Sequence, residues 1–324
     1  GSIGSQVLYE IFQMEPLLIH VVDINENGLV EVVRNIRSSL GYIKGEFQTF
    51  AIDIGGKDFD KMVNKNGGYD IWMNFAALKH VRSEKDPYTL MRLVEVNIIN
   101  TYKTLILAKN TKALKYFAVS TDKAANPVNL MGASKRAMEL ILGEFSENLD
   151  ISSARFGNVA FSNGSLLDGM INRYNNKQPL VAPMDIKRYF LTPLEAAKLS
   201  ILSVFKATSG EIFIPITKDK GIKQDFTSII KNFLHHKNYT MSVMVSEESA
   251  RNSIEELTKN SKWPCYVFKS DTTGEKSEEV FIADSEIIKK TRYDDIVAIE
   301  IKGLKTKKQI DVFMEEITAV KKLR

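Results

Sequence analysis

Short runs rich in β-branched and aromatic residues alternate with longer segments of helical spacing through the first two-thirds of the chain. Few architectures tolerate that order. LLIHVVD (17–23), FQTFAID (47–53), DIWMNFA (70–76), LKYFAVS (114–120) and ISSARFG (151–157) each read as a buried strand. Between them, SQVLYEIFQM, GLVEVVRNIRSSL, YTLMRLVEVNIINTYKTLILAKN and NLMGASKRAMELILGEFSENL repeat apolar residues every three or four positions. Strand–helix–strand units with right-handed crossovers give a parallel sheet covered on both faces. The predicted fold class is α/β: a Rossmann-like doubly wound parallel sheet with a smaller α+β C-terminal lobe.

From about residue 160 the alternation loosens. GSLLDGMINRYNNKQP and TPLEAAKLSILSVFKAT have helical spacing, and EIFIPI reads as a strand. The expected organisation is a Rossmann-like dinucleotide-binding domain over 1–160, a second lobe over 161–240 and a small α+β extension over 241–324. KWPCYVFKSDTTGEK (262–276) is the most distinctive part of that extension, whose role is unassigned. KTKKQIDVFMEEITAVKKLR, at the end, is amphipathic with a basic tail read as solvated. A 324-residue chain that is 44% hydrophobic has enough apolar surface for one large and one smaller core. Lys and Arg outnumber Asp and Glu by 44 to 40, spread along the chain, which suits anionic small ligands at least as well as nucleic acid. The single cysteine, Cys265, excludes an internal disulfide and fits a reducing compartment, so a cytoplasmic location is expected. No apolar run reaches membrane-spanning length, and no signal peptide is visible. Association with a membrane is expected only if sequence ahead of Gly1 carries helices.

The chain opens GSIGSQVLYEIF, a glycine pair running straight into a helical pattern. A glycine-rich dinucleotide loop follows a strand and opens a helix. Gly1, Ser2, Ile3 and Gly4 read as the end of such a loop, with its first glycine and preceding strand missing. A cloning remnant is the alternative reading of Gly1–Ser2, but GSIGS fits the loop better. Asp23 closes the second expected strand about 20 residues on, where a carboxylate accepts hydrogen bonds from a ribose 2′-hydroxyl and repels a 2′-phosphate. NAD is therefore expected, with NADP the alternative; a turn or cap residue is the other reading of Asp23. Asp53 and Ile54 would flank an adenine, Ala76 and Ala77 would let backbone approach the cofactor, and Asn97 lies in the helix that follows.

NFAALKHV, VSTDKAANPVNLMGASK, RFGNVAFSNGSLL and IKRYFLT together resemble the nucleotide-sugar 4,6-dehydratases of bacterial polysaccharide biosynthesis, in the extended short-chain dehydrogenase/reductase superfamily. Those acting on UDP-N-acetylglucosamine are the most similar, and the resemblance covers about residues 1–215. It implies that Thr121 binds the 4-oxygen of a hexose, that Asp122 is the acid for the 6-hydroxyl and that Lys123 is the base at C5. Neighbouring acid and amine need opposed environments to serve together near neutral pH. Lys135 would hold the nicotinamide ribose and bring positive charge near the 4-oxygen. Met131, one helical turn before it, stands where many such enzymes carry a tyrosine, and a thioether has no proton to transfer. The family includes members with methionine there. That residue argues against a 4-epimerase, which relies on the tyrosine; an inactive nucleotide-binding scaffold is the third reading.

For substrate anchoring, Asn158 and Arg188 match positions near the nucleotide diphosphate, with Arg173 a weaker candidate. Lys79 is expected on the substrate side, and Asn126 with Pro127 to make a rigid turn presenting the catalytic trio. Arg155 is read as either structural at the sheet edge or substrate-facing. His20, His80, His235 and His236 lack metal-ligand spacing, so no metal is expected. The implied partner is a UDP- or GDP-linked N-acetylhexosamine, and relatives of this kind form homo-oligomers; no nucleic acid and no membrane segment in this chain are expected.

Overall fold

A computed structural model describes residues 1–216, 223–270, 279–301, 303 and 307–322. Residues 271–276 of the distinctive stretch, and 305, 306, 323 and 324 of the final helical pattern, lie outside the described residues.

The chain forms two compact units, each discontinuous in sequence. The larger comprises Gly1–Phe156, Leu194–Ile216 and Val280–Arg324; the smaller comprises Gly157–Pro193 and Thr217–Glu279. Three consecutive segments were expected, and the difference has a physical source. Residues 194–216 and 280–301 add a helix and strands to the large sheet, contacts that no local pattern announces.

In the larger unit α1 (Ser2–Phe12), β1 (Leu18–Asp23), α2 (Glu26–Leu40), β2 (Glu46–Ala51), α3 (Lys57–Lys65) and β3 (Ile71–Asn74) follow in order. Then come α4 (Pro87–Val94), a π-helical turn (Glu95–Ile99), α5 (Asn100–Asn110), β4 (Lys115–Thr121), α6 (Leu130–Phe145) and β5 (Asp150–Phe156). β3, β4 and β5 are parallel neighbours, and Glu211–Pro215 extends them in parallel beyond β5. Ile296–Glu300 and Ile288–Lys290 then finish a six-stranded sheet in antiparallel sense. β1 and β2 pair with each other as a separate parallel sheet. Helix α1 joins the two sheets: Ile3, Val7 and Ile11 pack on Met73 and Phe75, while Leu8 and Phe12 pack on Ile19, Val21 and Phe47.

Alternate residues of a strand face opposite sides of its sheet, and the two cores obey this. Trp72, Tyr116 and Ala118 meet α3, α5, α6 and the helix Lys307–Lys322, whereas Met73 meets α1 and the helix Pro193–Lys206. β4 and β5 are buried almost throughout, as expected, but β1 and β2 are not. A strand with one paired neighbour keeps part of its surface in water.

The smaller unit has a parallel three-stranded sheet, Thr240–Met244, Lys262–Phe268 and Leu180–Pro183. Its core gathers Leu167, Met170, Leu180, Ile230, Leu234, Trp263 and Cys265.

Candidate active site

β4 delivers the trio because it lies between two parallel neighbours and ends at Thr121, where the chain turns into a short 3-10 segment, Asp122–Ala124. The carboxyl end of a parallel strand is where open α/β sheets bind ligands. Thr121 Oγ1 donates to Asp122 Oδ1 at 2.7 Å, and Lys123 Nζ lies 3.4 Å from the same oxygen. Asp122 is buried, while the Lys123 side chain is 39% exposed. One carboxylate oxygen thus connects a hydroxyl and a partly exposed amine.

Asn129 starts α6 by accepting the Gly132 N–H at 2.8 Å. Gly132 is required by close approach: a Cβ there would lie 2.7 Å from the Lys123 carbonyl oxygen. Met131, Lys135 and Glu139 follow at four-residue spacing on one face of α6 and are all buried. Lys135 Nζ donates to the Val119 carbonyl at 3.1 Å and approaches Met138 Sδ at 3.5 Å. Burial pushes the Lys135 ammonium down to about 8, and the nearby Glu139 carboxylate opposes that fall.

Glu139 itself is the centre of a buried charge network. It accepts from Ser120 Oγ at 2.6 Å, from Arg155 Nε at 3.0 Å and Nη2 at 2.7 Å, and from Arg136 Nη1 at 3.1 Å. Arg155 and Arg136 also bind Glu286, at 2.8 Å each. Arg155 is therefore structural, but not at a sheet edge: β5 lies inside the sheet and the side chain is wholly buried. Sequence reasoning missed Glu139, Ser120, Arg136 and Glu286, although the spacing from Lys135 to Glu139 was visible.

Of the expected cofactor residues, Gly1 caps the start of α1 and its nitrogen lies 3.3 Å from Asp23 Oδ2. Asp23 Oδ1 accepts the Asn25 N–H at 2.9 Å, so the carboxylate also closes a turn. A helix N-terminus and an acceptor at the end of the next strand are thus side by side. Ser2 and Ile3 form the first turn of that helix, and a Cβ added at Gly4 would meet Phe75 at ordinary contact distance. Asp53 is bound by Arg92 Nη2 at 2.7 Å and by the Gly55 N–H at 2.8 Å. Burial alone would raise its carboxyl, but these partners hold it below the usual carboxylate range. Ile54 packs against the main core. Ala76 donates to Asn74 Oδ1 at 3.0 Å, and Ala77 is exposed. Asn97 differs from expectation: it is fully buried, exchanges two 3.0 Å bonds with the Leu78 backbone and donates to Ser134 Oγ at 2.9 Å. All its polar atoms are engaged by protein, so it fastens the loop after β3 to α6.

Lys79 and Asn126 are exposed residues of the larger unit, on the loops after β3 and β4. Asn158, Arg173 and Arg188 belong to the smaller unit. There Asn158 Nδ2 donates to Glu279 Oε1, and Glu279 Oε2 accepts the Tyr189 N–H at 2.9 Å. Arg188 is buried and donates to the Lys187 carbonyl at 3.0 Å. Arg173 lines a cavity of about 410 Å³ with Lys177, Gln178, Pro179, Arg251 and Ile254. Sequence reasoning also missed Glu279, because the stretch leading to it has no periodicity.

The described residues contain no cluster of three or more potential metal ligands, and no helix among them is long and apolar enough to cross a membrane. A family model described as polysaccharide biosynthesis protein matches residues 1–301. Over 221 residues the chain is 32% identical to the uncharacterized membrane protein MJ1061 of Methanocaldococcus jannaschii, covering 66% of this chain and 63% of that protein. Over 240 residues it is 30% identical to the capsular polysaccharide biosynthesis protein CapD of Staphylococcus aureus, covering 72% of this chain and 39% of that protein. The chain thus spans less than two-thirds of either relative. Among solved structures, Pen from Bacillus thuringiensis shares the fold with a TM-score of 0.73 at 22% identity, over 95% of this chain and 87% of that one.

Proposed function

The chain belongs to the polysaccharide biosynthesis protein family, and from that premise we propose that it carries the catalytic part of a nucleotide-sugar 4,6-dehydratase acting with NAD on UDP-N-acetylglucosamine. The observation that supports this most is the hydroxyl–carboxylate–amine cluster of Thr121, Asp122 and Lys123, together with a buried methionine, Met131, that cannot transfer a proton.

The donor set fits a dinucleotide. Gly1–Gly4, at the start of α1, would face the pyrophosphate, Asp23 a ribose and Lys135 the nicotinamide ribose. Ala76 and Ala77 leave room for the backbone to approach. The chemistry that bound nicotinamide supplies is reversible storage of the hydride taken from C4 and given to C6. Lys79, Asn126, Asn158, Arg173 and Arg188 are proposed substrate contacts.

The remaining steps belong to the protein. Oxidation at C4 releases the hydroxyl proton, which can pass from Thr121 to Asp122 across their 2.7 Å contact. With that proton Asp122 becomes the neutral acid, and Lys123, whose side chain is partly exposed, becomes the neutral amine by giving its own proton to solvent. Elimination uses those two forms: Lys123 removes the C5 proton and Asp122 protonates the departing 6-hydroxyl as water. The elimination leaves an ammonium beside a carboxylate again. Lys123 returns its proton to C5 once hydride reaches C6, and a proton from solvent restores its ammonium beside the Asp122 carboxylate. An epimerase needs neither Asp122 nor Lys123 in these roles.

Incubating full-length protein with NAD and UDP-N-acetylglucosamine, followed by mass spectrometry, tests the proposal. Loss of one water from the sugar is expected. An isomer of unchanged mass would mean epimerisation, and cofactor binding without turnover would mean a scaffold; either would overturn it.

A further inference from the structure

Lys135 is a cation placed where almost nothing compensates it. Its amine has a backbone carbonyl and a thioether for neighbours, and its side chain is shut away from water. The ionisable groups around it can be named from every side. Its own helix carries Arg136 and Glu139; the end of β4 carries Asp122 and Lys123; β5 carries Arg155, joined to Glu286. The π-helical turn beside α6 carries Glu95, which is bound by Arg92 and Lys321. Glu139 lies one helical turn from Lys135 on the same face, and its carboxylate is wholly buried.

Glu139 also reaches the catalytic strand. Its Oε1 accepts the Ser120 hydroxyl at 2.6 Å, and Ser120 immediately precedes Thr121. The same carboxylate is clamped by both Arg155 and Arg136, which fixes its position. We propose that Glu139 is a positioning residue: it keeps the buried Lys135 cationic and holds the end of β4 so that the Thr121–Asp122–Lys123 trio stays in register with α6. Arg155, Arg136 and Glu286 are the frame that holds Glu139. Its catalytic importance rests on the proposed dehydratase reading, in which Lys135 supplies positive charge near the 4-oxygen. The electrostatic part does not depend on that reading.

The test reads Lys135 directly, by NMR titration of protein carrying 13C-labelled lysine, with the Lys135 signal assigned by its loss in Lys135→Arg. Glu139→Gln keeps the shape and removes the charge. The Lys135 midpoint is expected to fall by about one pH unit or more, so the cationic share at pH 8 drops about five-fold. Glu139→Asp, which keeps the charge, is expected to restore most of the wild-type midpoint. A variant that merely loosened the fold would admit water and move the midpoint up, towards an ordinary lysine. An unchanged or raised midpoint in folded Glu139→Gln therefore overturns the proposal. If that variant does not fold, Glu286→Gln decides: a smaller fall supports the proposal, and no fall overturns it. In the water-loss assay, the alkaline limb of the rate against pH is expected to follow the NMR midpoint in each variant. A limb that stays fixed while the midpoint moves would overturn the catalytic part. A protein with no turnover at any pH would refute the dehydratase reading, while the NMR midpoints would still decide the electrostatic part.

Discussion

At the residue scale the two lysines of the site play opposite parts. Lys123 is partly exposed and touches the Asp122 carboxylate. Replacing it by alanine leaves no base for the C5 proton, so water loss should fall about 10²–10⁴-fold with little change in cofactor affinity. Unchanged turnover in Lys123→Ala would remove it from the mechanism. Lys135 instead strains the fold. Its folded value of about 8 lies below the ordinary 10.5, which corresponds to roughly 3 kcal/mol of burial cost while it is charged. Since the unfolded chain binds this proton more tightly, the cost is full below about pH 8 and disappears as the pH rises towards 10.5. Lys135→Met should therefore raise the denaturation midpoint at pH 7, with the gain shrinking above pH 8, while abolishing turnover. A destabilised Lys135→Met protein at pH 7 would contradict this. Met131 illustrates how far single residues can be read: its identity excludes a proton donor, and its burial on the Lys135 face follows from four-residue spacing. The clamp on Glu139 cannot be read that way. Its partners Arg155 and Glu286 lie 16 residues from Glu139 and 131 residues from Arg155 respectively, and nothing local links them.

Elements turn these side chains into a site, and α6 is the one that matters most. Ala favours a helix over Gly by about 1 kcal/mol, so propensity alone would make Gly132→Ala stabilising. The added Cβ would however sit 2.7 Å from the backbone oxygen of Lys123, which cannot yield without moving the trio. The expected result is a drop in turnover of tenfold or more with a melting temperature close to wild type. Wild-type turnover would show that the loop relaxes freely. The segment 88–110 shows what periodicity resolves at this scale. It reads as one helix, whereas α4 and α5 are joined by a π-helical turn that aims Asn97 inwards. Such turns change the hydrogen-bonding register by one residue, which apolar spacing does not report. KDFDKMVNK, which forms α3, escapes a sequence reading because its charges mask the pair Phe59 and Val63 that buries it.

For the whole molecule, β4, β5 and α6 were legible because buried parallel strands and an apolar helix face write themselves into local sequence. The two-unit division was not, because Ile296–Glu300 pairs with Glu211–Pro215 across a long interval of chain. Amphipathic spacing announces the final helix, Lys307–Lys322, but not where it packs. Its basic end reads as solvated, yet Lys321 pairs with Glu95, and Ile310 and Met314 are buried in the core that contains Tyr116, Met138 and Leu142. The smaller unit has its own core, with Leu234 and Cys265 fully buried. Separate cores lead to separable stabilities. Ile310→Ala, at a position 1% exposed, should cost about 2–5 kcal/mol and speed amide exchange in β4, β5 and α6 while sparing the strand Lys262–Phe268. Leu234→Ala, equally buried, should do the reverse. Hydrogen exchange read by mass spectrometry distinguishes the cases. If either substitution accelerates exchange through both units alike, the chain unfolds as one cooperative body.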